Sequence, residues 1–450
     1  MALKKPFGDK DYRDRRTRAQ RERERIETQK QGDTLVRRAG DDPERRRLVE
    51  KLRARRATDR EALQVEIVPR ANALDVVAAS RRLLIPVDDL PAARSALADR
   101  GITEAATSGR TVLLDVPASA SRGSIAGLAK ELRAGGLRVS LDHVAPLGGW
   151  VKGEGGPEPT AGGGAVPAVQ IAQVTDPPFV AVLDSGISDA GRTDGYLGAG
   201  VDPADVDPLD VFPVHGLLDG DAGHGSMVVG IVQQIVPTAR VGSYRVADTD
   251  GVASSFDVAR KMRLAAEDGA TILNLSLGTG TEDGNPPLAL LDVVDELRLS
   301  HPDLLIVCAA GNEGGTDPIW PAAFAGTHPN VVAVGALQAG GAEAPWSTRG
   351  PWVTCSTIGQ GVASTYVVGT EDGVLIGDPD PDTYPGPNPW AVWTGTSFAA
   401  PQIAGAVARI CAENAGMTPP QALKTLESQG TAATVPSTGF GWTVEILPGT

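Results

Sequence analysis

The chain has 450 residues and a 41% apolar fraction, enough for two or three packed domains. Three scattered cysteines, Cys308, Cys355 and Cys411, exclude a disulfide framework or zinc site, and no window approaches the roughly 18 apolar residues of a membrane span. The net charge of −14 divides unevenly: residues 1–60 hold 21 Lys+Arg against 12 Asp+Glu, and the remainder holds 21 against 44.

Residues 1–61 are Arg- and Glu-rich ("RERERIETQK", "PERRRLVEKLRARRATDRE"). Interleaved charges of this kind predict solvated helices laced with ion pairs, or a disordered arm. The interleaved acids, with only Phe7 and Tyr12 as aromatics, disfavour nucleic acid. A basic arm is instead expected to attract the acidic remainder or a protein partner. The start, "MALKKPFGDKDYRDRRTRAQ", lacks the apolar stretch of a secretory signal, which predicts a cytoplasmic protein without membrane contact.

Residues 62–147 read as an α+β module. The strand "LLIPVD" leads into the helix "LPAARSALADRG", a strand near "ITEAAT" and the strand "TVLLDVP". The helix "SRGSIAGLAKELRAGG" and the strand "LRVSLDHVAPL" complete a β-α-β-β-α-β order, the ferredoxin-like pattern. Residues 148–177 are rich in Gly and Pro and read as a linker. From residue 178 to 450, short Val/Ile/Leu runs ("PFVAVLD", "ARVGSYRV", "TILNLSLG", "LLIVCAAG", "NVVAVGAL") are separated by helical patterns such as "FDVARKMRLAAEDG". Strands buried on both faces and alternating with helices predict a parallel sheet in an α/β domain. Functional residues then belong beyond the C-terminal ends of the strands.

Three polar residues fall at such places. Asp184 ends "PFVAVLD", His224 opens the helix "GHGSMVVGIVQQI", and Ser397 opens the helix "SFAAPQIAGAVARICAE". Each alone has a structural explanation as turn former or helix cap. Together they supply a nucleophile, a base and an orienting carboxylate. The start of the Ser397 helix offers backbone N–H groups to an oxyanion, and Asn312, after the strand "LLIVCAAG", adds a side-chain amide donor.

These blocks ("VAVLDSGI", "GHGSMVVGIV", "AAGNEG" and "GTSFAAPQIAG", in that order) resemble the subtilisin-like serine proteases over about residues 178–430. The resemblance implies a subtilisin-like α/β fold and a serine endopeptidase that acts through an acyl-enzyme on polypeptide substrates. It assigns Asp184, His224 and Ser397 to the triad and Asn312 to the oxyanion hole. Ser276, Leu277 and Gly278 would pair with substrate backbone on one side, with Gly251 and Val252 on the other. Ala309, Ala310 and Gly311 would wall the primary specificity pocket, with Glu313 at its rim. Ile319 would make the pocket shallow and favour small or medium side chains. The 62–147 module resembles a propeptide that inhibits and chaperones the enzyme, with cleavage falling in 146–166 and latency until it is removed.

The chain also departs from the family pattern. "VGIVQQIVPTARVGSYRV" runs straight from helix to strand where many members insert a calcium loop. No metal and no cofactor is therefore expected. Asp378, Asp380 and Asp382 lie in a Pro-rich insertion that lacks the glycine of an EF-hand-like loop. Met227 stands where many relatives carry a second, non-catalytic His. A catalytically silent scaffold on the same fold is the alternative, and a dedicated maturation protease is a narrower form of the first reading. An α/β-hydrolase is disfavoured, because Ser397 sits in G-T-S-F-A and not in G-x-S-x-G.

Overall fold

The computed structural model describes residues 4–7, 16–38, 42–57, 59, 62–70, 73–121, 123–146, 159–162, 177–189, 191–373, 380–432 and 439–449. Two helices come first, α1 (Arg18–Arg38) and α2 (Asp42–Arg56). The module that follows contains β1 (Val65–Val68), β2 (Val76–Pro86), α3 (Leu90–Ala98), β3 (Thr103–Ser108) and β4 (Thr111–Asp115). It ends with the short α4 (Ala118–Ser121), α5 (Ile125–Ala134) and β5 (Ser140–His143). Its antiparallel sheet runs β1-β2-β4-β3, with β5 also on β2. Ser124 starts α5 by accepting from Gly127 N, and Ile125, Leu128 and Leu132 pack on Leu83, Ile85 and Leu114. β1 is absent from the sequence reading, since "VEIV" is too short to stand out.

The remaining chain is an α/β unit. Its strands are β6 (Thr160–Gly162), β7 (Phe179–Asp184), β8 (Val201–Ala204), β9 (Arg240–Arg245), β10 (Ile272–Leu275), β11 (Leu305–Ala309), β12 (Val331–Leu337) and β13 (Cys355–Ile358). After them come β14 (Val362–Thr365), β15 (Gly369–Thr370), β16 (Thr383–Tyr384), β17 (Trp390–Trp393) and β18 (Trp442–Thr443). Its helices are α6 (His224–Ile235), α7 (Ser255–Glu267), α8 (Leu288–Ser300), α9 (Thr396–Glu413) and α10 (Pro419–Gln429). Eight strands form one parallel sheet in the order β18-β13-β12-β11-β10-β7-β9-β8. β7 lies between β9 and β10, so the chain leaves it in one direction and returns across it in the other. Crevices at such reversals open beyond the C-terminal strand ends.

Alternation along each strand feeds two cores. Val180 and Val182 pack with α6 and α9, whereas Ala181 and Leu183 pack with α7 and α8. α6 runs directly into β9 over four residues, with no inserted loop. Among the described residues no helix is long and apolar enough to cross a membrane. Asp380 and Asp382 are described and Asp378 is not; Asp382 accepts from Ala161 N at 2.8 Å.

The N-terminal module rests on α7 and α8. Leu84 and Leu113 join the apolar cluster of Phe256, Met262 and Val293. Buried Asp142 accepts from Ser254 Oγ (2.8 Å), Ser255 Oγ (2.9 Å) and Phe256 N (3.1 Å), and so caps α7 from a neighbouring unit. The described part of the arm differs from the expected solvated or disordered one. α1 carries the expected ion pairs (Arg25–Glu22 and Lys30–Glu27, both 2.8 Å), but α1 and α2 each bury one side. Leu35 packs on Ala336 and Trp346, and Val49 packs with Val144 and Val252. Gln31 Nε2 donates to Thr160 Oγ1 and Val392 O, and its Oε1 accepts from Thr394 Oγ1 at 2.7 Å. The buried side of α1 is largely polar and satisfied by hydrogen bonds, so apolar periodicity carries no trace of it. Within the expected linker, β6 pairs antiparallel with β17.

Glu282 ties the module to the parallel-sheet unit through Arg133 (2.9 Å) and His143 Nε2 (2.7 Å). Burial raises this carboxyl, but the hydrogen bond and charge of His143, with Arg133, outweigh it and lower the group to about 2. Its stabilising effect is therefore present above the ordinary value of 4.5 and is lost as pH falls from there towards 2. Thermal unfolding across this window is expected to show a steeper loss for wild type than for Glu282→Gln. Equal pH slopes would contradict the assignment.

Candidate active site

Asp184 ends β7 and is fully buried, with its Oδ1 accepting from Ser185 N at 2.8 Å. The same oxygen meets His224 Nδ1 at 2.7 Å. Two close approaches bring the β7 end and α6 together. Gly223 precedes α6 at φ 81°, against the Tyr366 ring, where a Cβ would lie 2.8 Å from ring carbon. Gly225 lies flat on Gly186, and a Cβ there would run into the Gly186 carbonyl. His224 is fully buried, and its Nε2 has no hydrogen-bond partner among the described residues. Its ring lies edge-on to Trp393 (5.4 Å, 80°) and 5.3 Å from Phe398.

Ser397 is the second residue of α9, in the first turn of a helix whose N-terminal peptides point their N–H groups at the crevice. Its Oγ donates to Ser276 O at 3.1 Å, so the hydroxyl is turned to β10's extension and not to His224 Nε2. Pro401 has no N–H to offer the Ser397 carbonyl, and Ser276 Oγ takes that acceptor at 2.7 Å. Asn274 Nδ2 in turn donates to Ser276 Oγ at 3.1 Å. Asn312 Oδ1 accepts from Thr396 N (2.9 Å) and Thr396 Oγ1 (3.0 Å), which fixes the amide beside Gly395 and aims its NH2 side away from Thr396.

The structure brings together all four residues singled out for chemistry. Ser276, Leu277 and Gly278 follow β10 along one side of the crevice. Gly251 and Val252 sit in a turn held by Asp248 Oδ1, which accepts from Val252 N at 3.1 Å. Ala145 N donates to Ala253 O at 2.8 Å and Val144 bridges Ser254 antiparallel, so the end of the module's described chain pairs with the segment after this turn. Ala309 ends β11, and Ala310 and Gly311 follow it. Ile319 reaches between Gly278 and Gly311, where added Cβ atoms would lie 2.5 Å and 3.1 Å from it. Glu313 Oε2 accepts from Thr348 Oγ1 at 3.0 Å. Thr348, Trp393, Thr396 and Phe398 were missed from sequence; Thr396 and Phe398 flank Ser397, while nothing local marks Thr348 or Trp393.

The Subtilase family model matches residues 176–442. A thermostable alkaline protease of Halalkalibacterium halodurans is 29% identical over 197 residues, covering 42% of this chain and 46% of the relative. Subtilisin E of Bacillus subtilis is 27% identical over 261 residues, covering 56% and 60%. The chain thus spans about half the length of these relatives. Fervidolysin of Fervidobacterium pennivorans, a keratinolytic enzyme related to subtilisin, superposes with a TM-score of 0.55 at 18% identity, over 82% of this chain and 60% of its own. That likeness identifies the fold.

Gly225→Ala is expected to push α6 off Gly186 and destabilise the protein by about 1–3 kcal/mol. Gly198→Ala, with nothing within 4 Å of the added carbon, is expected to be near neutral. Urea unfolding of both variants checks the contrast.

Proposed function

Because the chain belongs to the subtilase family of serine peptidases, we propose that it is a serine endopeptidase built on Asp184, His224, Ser397 and Asn312. One observation supports this most directly. His224 Nδ1 is held by Asp184 at 2.7 Å while its buried Nε2 has no partner among the described residues, as a general base awaiting a proton requires.

A χ1 rotation of Ser397 would exchange Ser276 O for His224 Nε2. Ser397 Oγ then attacks the scissile carbonyl as His224 takes its proton and later returns it to the leaving amine. Asp184 holds the imidazole with Nδ1 protonated and stabilises the imidazolium. The Ser397 N–H and the Asn312 amide receive the oxyanion, and water hydrolyses the acyl-enzyme. Substrate backbone pairs with Ser276–Gly278 and with Gly251–Val252 as an added strand, a mode that accepts varied sequences. Ala309, Ala310, Gly311, Glu313 and Ile319 bound the primary pocket.

The 62–147 module acts as a propeptide-like inhibitor whose tail occupies the cleft. The pairing of Val144 and Ala145 with Ser254 and Ala253 supports that role. The expected cleavage region, 146–166, lies mostly outside the described residues. A silent scaffold draws on one feature, the Ser397 hydroxyl turned to Ser276 O. A single-bond rotation removes that feature, whereas a scaffold has no use for the Asp184–His224 pair.

Full-length protein is expected to react with a fluorophosphonate at Ser397, as intact mass against Ser397→Ala would reveal, and to lose an N-terminal fragment over hours. Labelling without cleavage would make the module a permanent domain, and no labelling would favour the scaffold. Asn312→Ala is expected to lower kcat by about 10²–10³ with little change in KM. Peptide-library profiling is expected to give small or medium side chains before the scissile bond. Ile319→Ala should shift that preference towards larger ones.

A further inference from the structure

Two consecutive arginines at the end of α2, Arg55 largely buried and Arg56 wholly so, turn into the body of the protein. Arg56 is fully enclosed: it donates to Asp248 at 2.6 Å, to Asp250 at 3.2 Å and to the Leu63 carbonyl, and its guanidinium stacks 4.8 Å from the Phe212 ring. Arg55 pairs with Asp250 at 3.1 Å and with Asp219. Asp219 also receives Val211 N and Phe212 N, so it orients the aromatic roof as well as the charge. Three carboxylates and a ring thus form a pocket that already holds two guanidinium groups.

The pocket adjoins the cleft. Asp248 and Asp250 begin the turn that leads into Val252–Ser254, the segment on which Val144 and Ala145 pair antiparallel. A peptide continuing in this register brings its next residues alongside Val252 and then Gly251, beside Asp250. Charge in the pocket is not balanced even with both arginines present. Burial, with Asp248 and Asp219 adding to it against the two arginines, pushes the Asp250 carboxyl up to about 7. Loss of the arm would leave three neighbouring buried or half-buried carboxylates without their cations.

We propose that the Asp219–Asp248–Asp250 pocket, roofed by Phe212, is a guanidinium-binding subsite of the substrate cleft. Arg55 and Arg56 fill it in the full-length chain, and an arginine on the acyl side of the scissile bond fills it once the arm is displaced. The inference rests on the endopeptidase reading and deepens it by naming a substrate class. It also gives the arm a second inhibitory contact, separate from the tail of the module.

The test uses full-length protein in three forms: wild type, Asp250→Asn, and Arg55→Ala/Arg56→Ala. Each is incubated until a withdrawn aliquot labels at Ser397 with a fluorophosphonate, and the unlabelled remainder is then given peptides in which one residue, scanned over the four before the cut, is arginine or norleucine. Wild type is expected to prefer arginine at one position by about tenfold or more in kcat/KM, the scale of a charge-assisted hydrogen bond. Asp250→Asn should reduce that ratio towards one. The double arginine variant should keep the ratio and reach activity on arginine peptides sooner, which tests the pocket even if Asp250→Asn fails to fold. Cleavage of both peptide sets at equal rates at every position overturns the inference and leaves the peptidase reading intact. Absence of both labelling and cleavage in wild type overturns the reading, and the inference with it.

Discussion

Everything at the site depends on one close approach between backbones. Asp184 stands at the end of a central strand and His224 at the start of a helix on the sheet's face, and their side chains are short. A 2.7 Å hydrogen bond between them requires helix and strand end to meet with almost nothing in between, and Gly225 against Gly186 supplies that. The same end of the sheet receives α9, whose first turn carries Ser397 into the space beside the histidine. Burial of all three residues keeps water from competing for their hydrogen bonds, which makes each electrostatic interaction count for more.

A second constraint is charge. The arm is basic and the rest of the chain acidic, and the arginines of α2 bury themselves in carboxylates next to the cleft. Buried ion pairs contribute little net stability after desolvation, but breaking one side is costly. Such contacts fix a segment in one place more than they stabilise it. α1 lies at the opposite end, where Gln31 bridges β6, β17 and Thr394, three residues before Ser397. Both helices of the arm therefore rest on the body through polar groups that satisfy one another's hydrogen bonds.

Several elements were legible in the chain because their cause is local. The parallel strands read as apolar runs, since burial on both faces leaves no polar alternation. The module's two helices and four of its strands read from periodicity and glycine stops. Asp184, His224, Asn312 and Ser397 read from small-residue neighbourhoods, because close approach demands glycine and alanine. Thr348 and Trp393 were not legible. Thr348 earns its position through Glu313, thirty-five residues away, and Trp393 through a ring contact with His224 across the sheet.

By itself, then, the sequence determined the elements, the family and the four residues around which the chemistry is proposed. Tertiary structure alone decided three things. It turned the Ser397 hydroxyl to Ser276 O, because Pro401 frees a carbonyl and draws Ser276 into place. It laid the charged arm on the folded body, although composition pointed to a solvated one. And it gathered Asp219, Asp248 and Asp250 around Arg55 and Arg56. Local pattern reports the hydrophobic term, which repeats along the chain with each strand and helix. Pairing of polar groups distant in sequence depends on distances that exist only after the chain has folded.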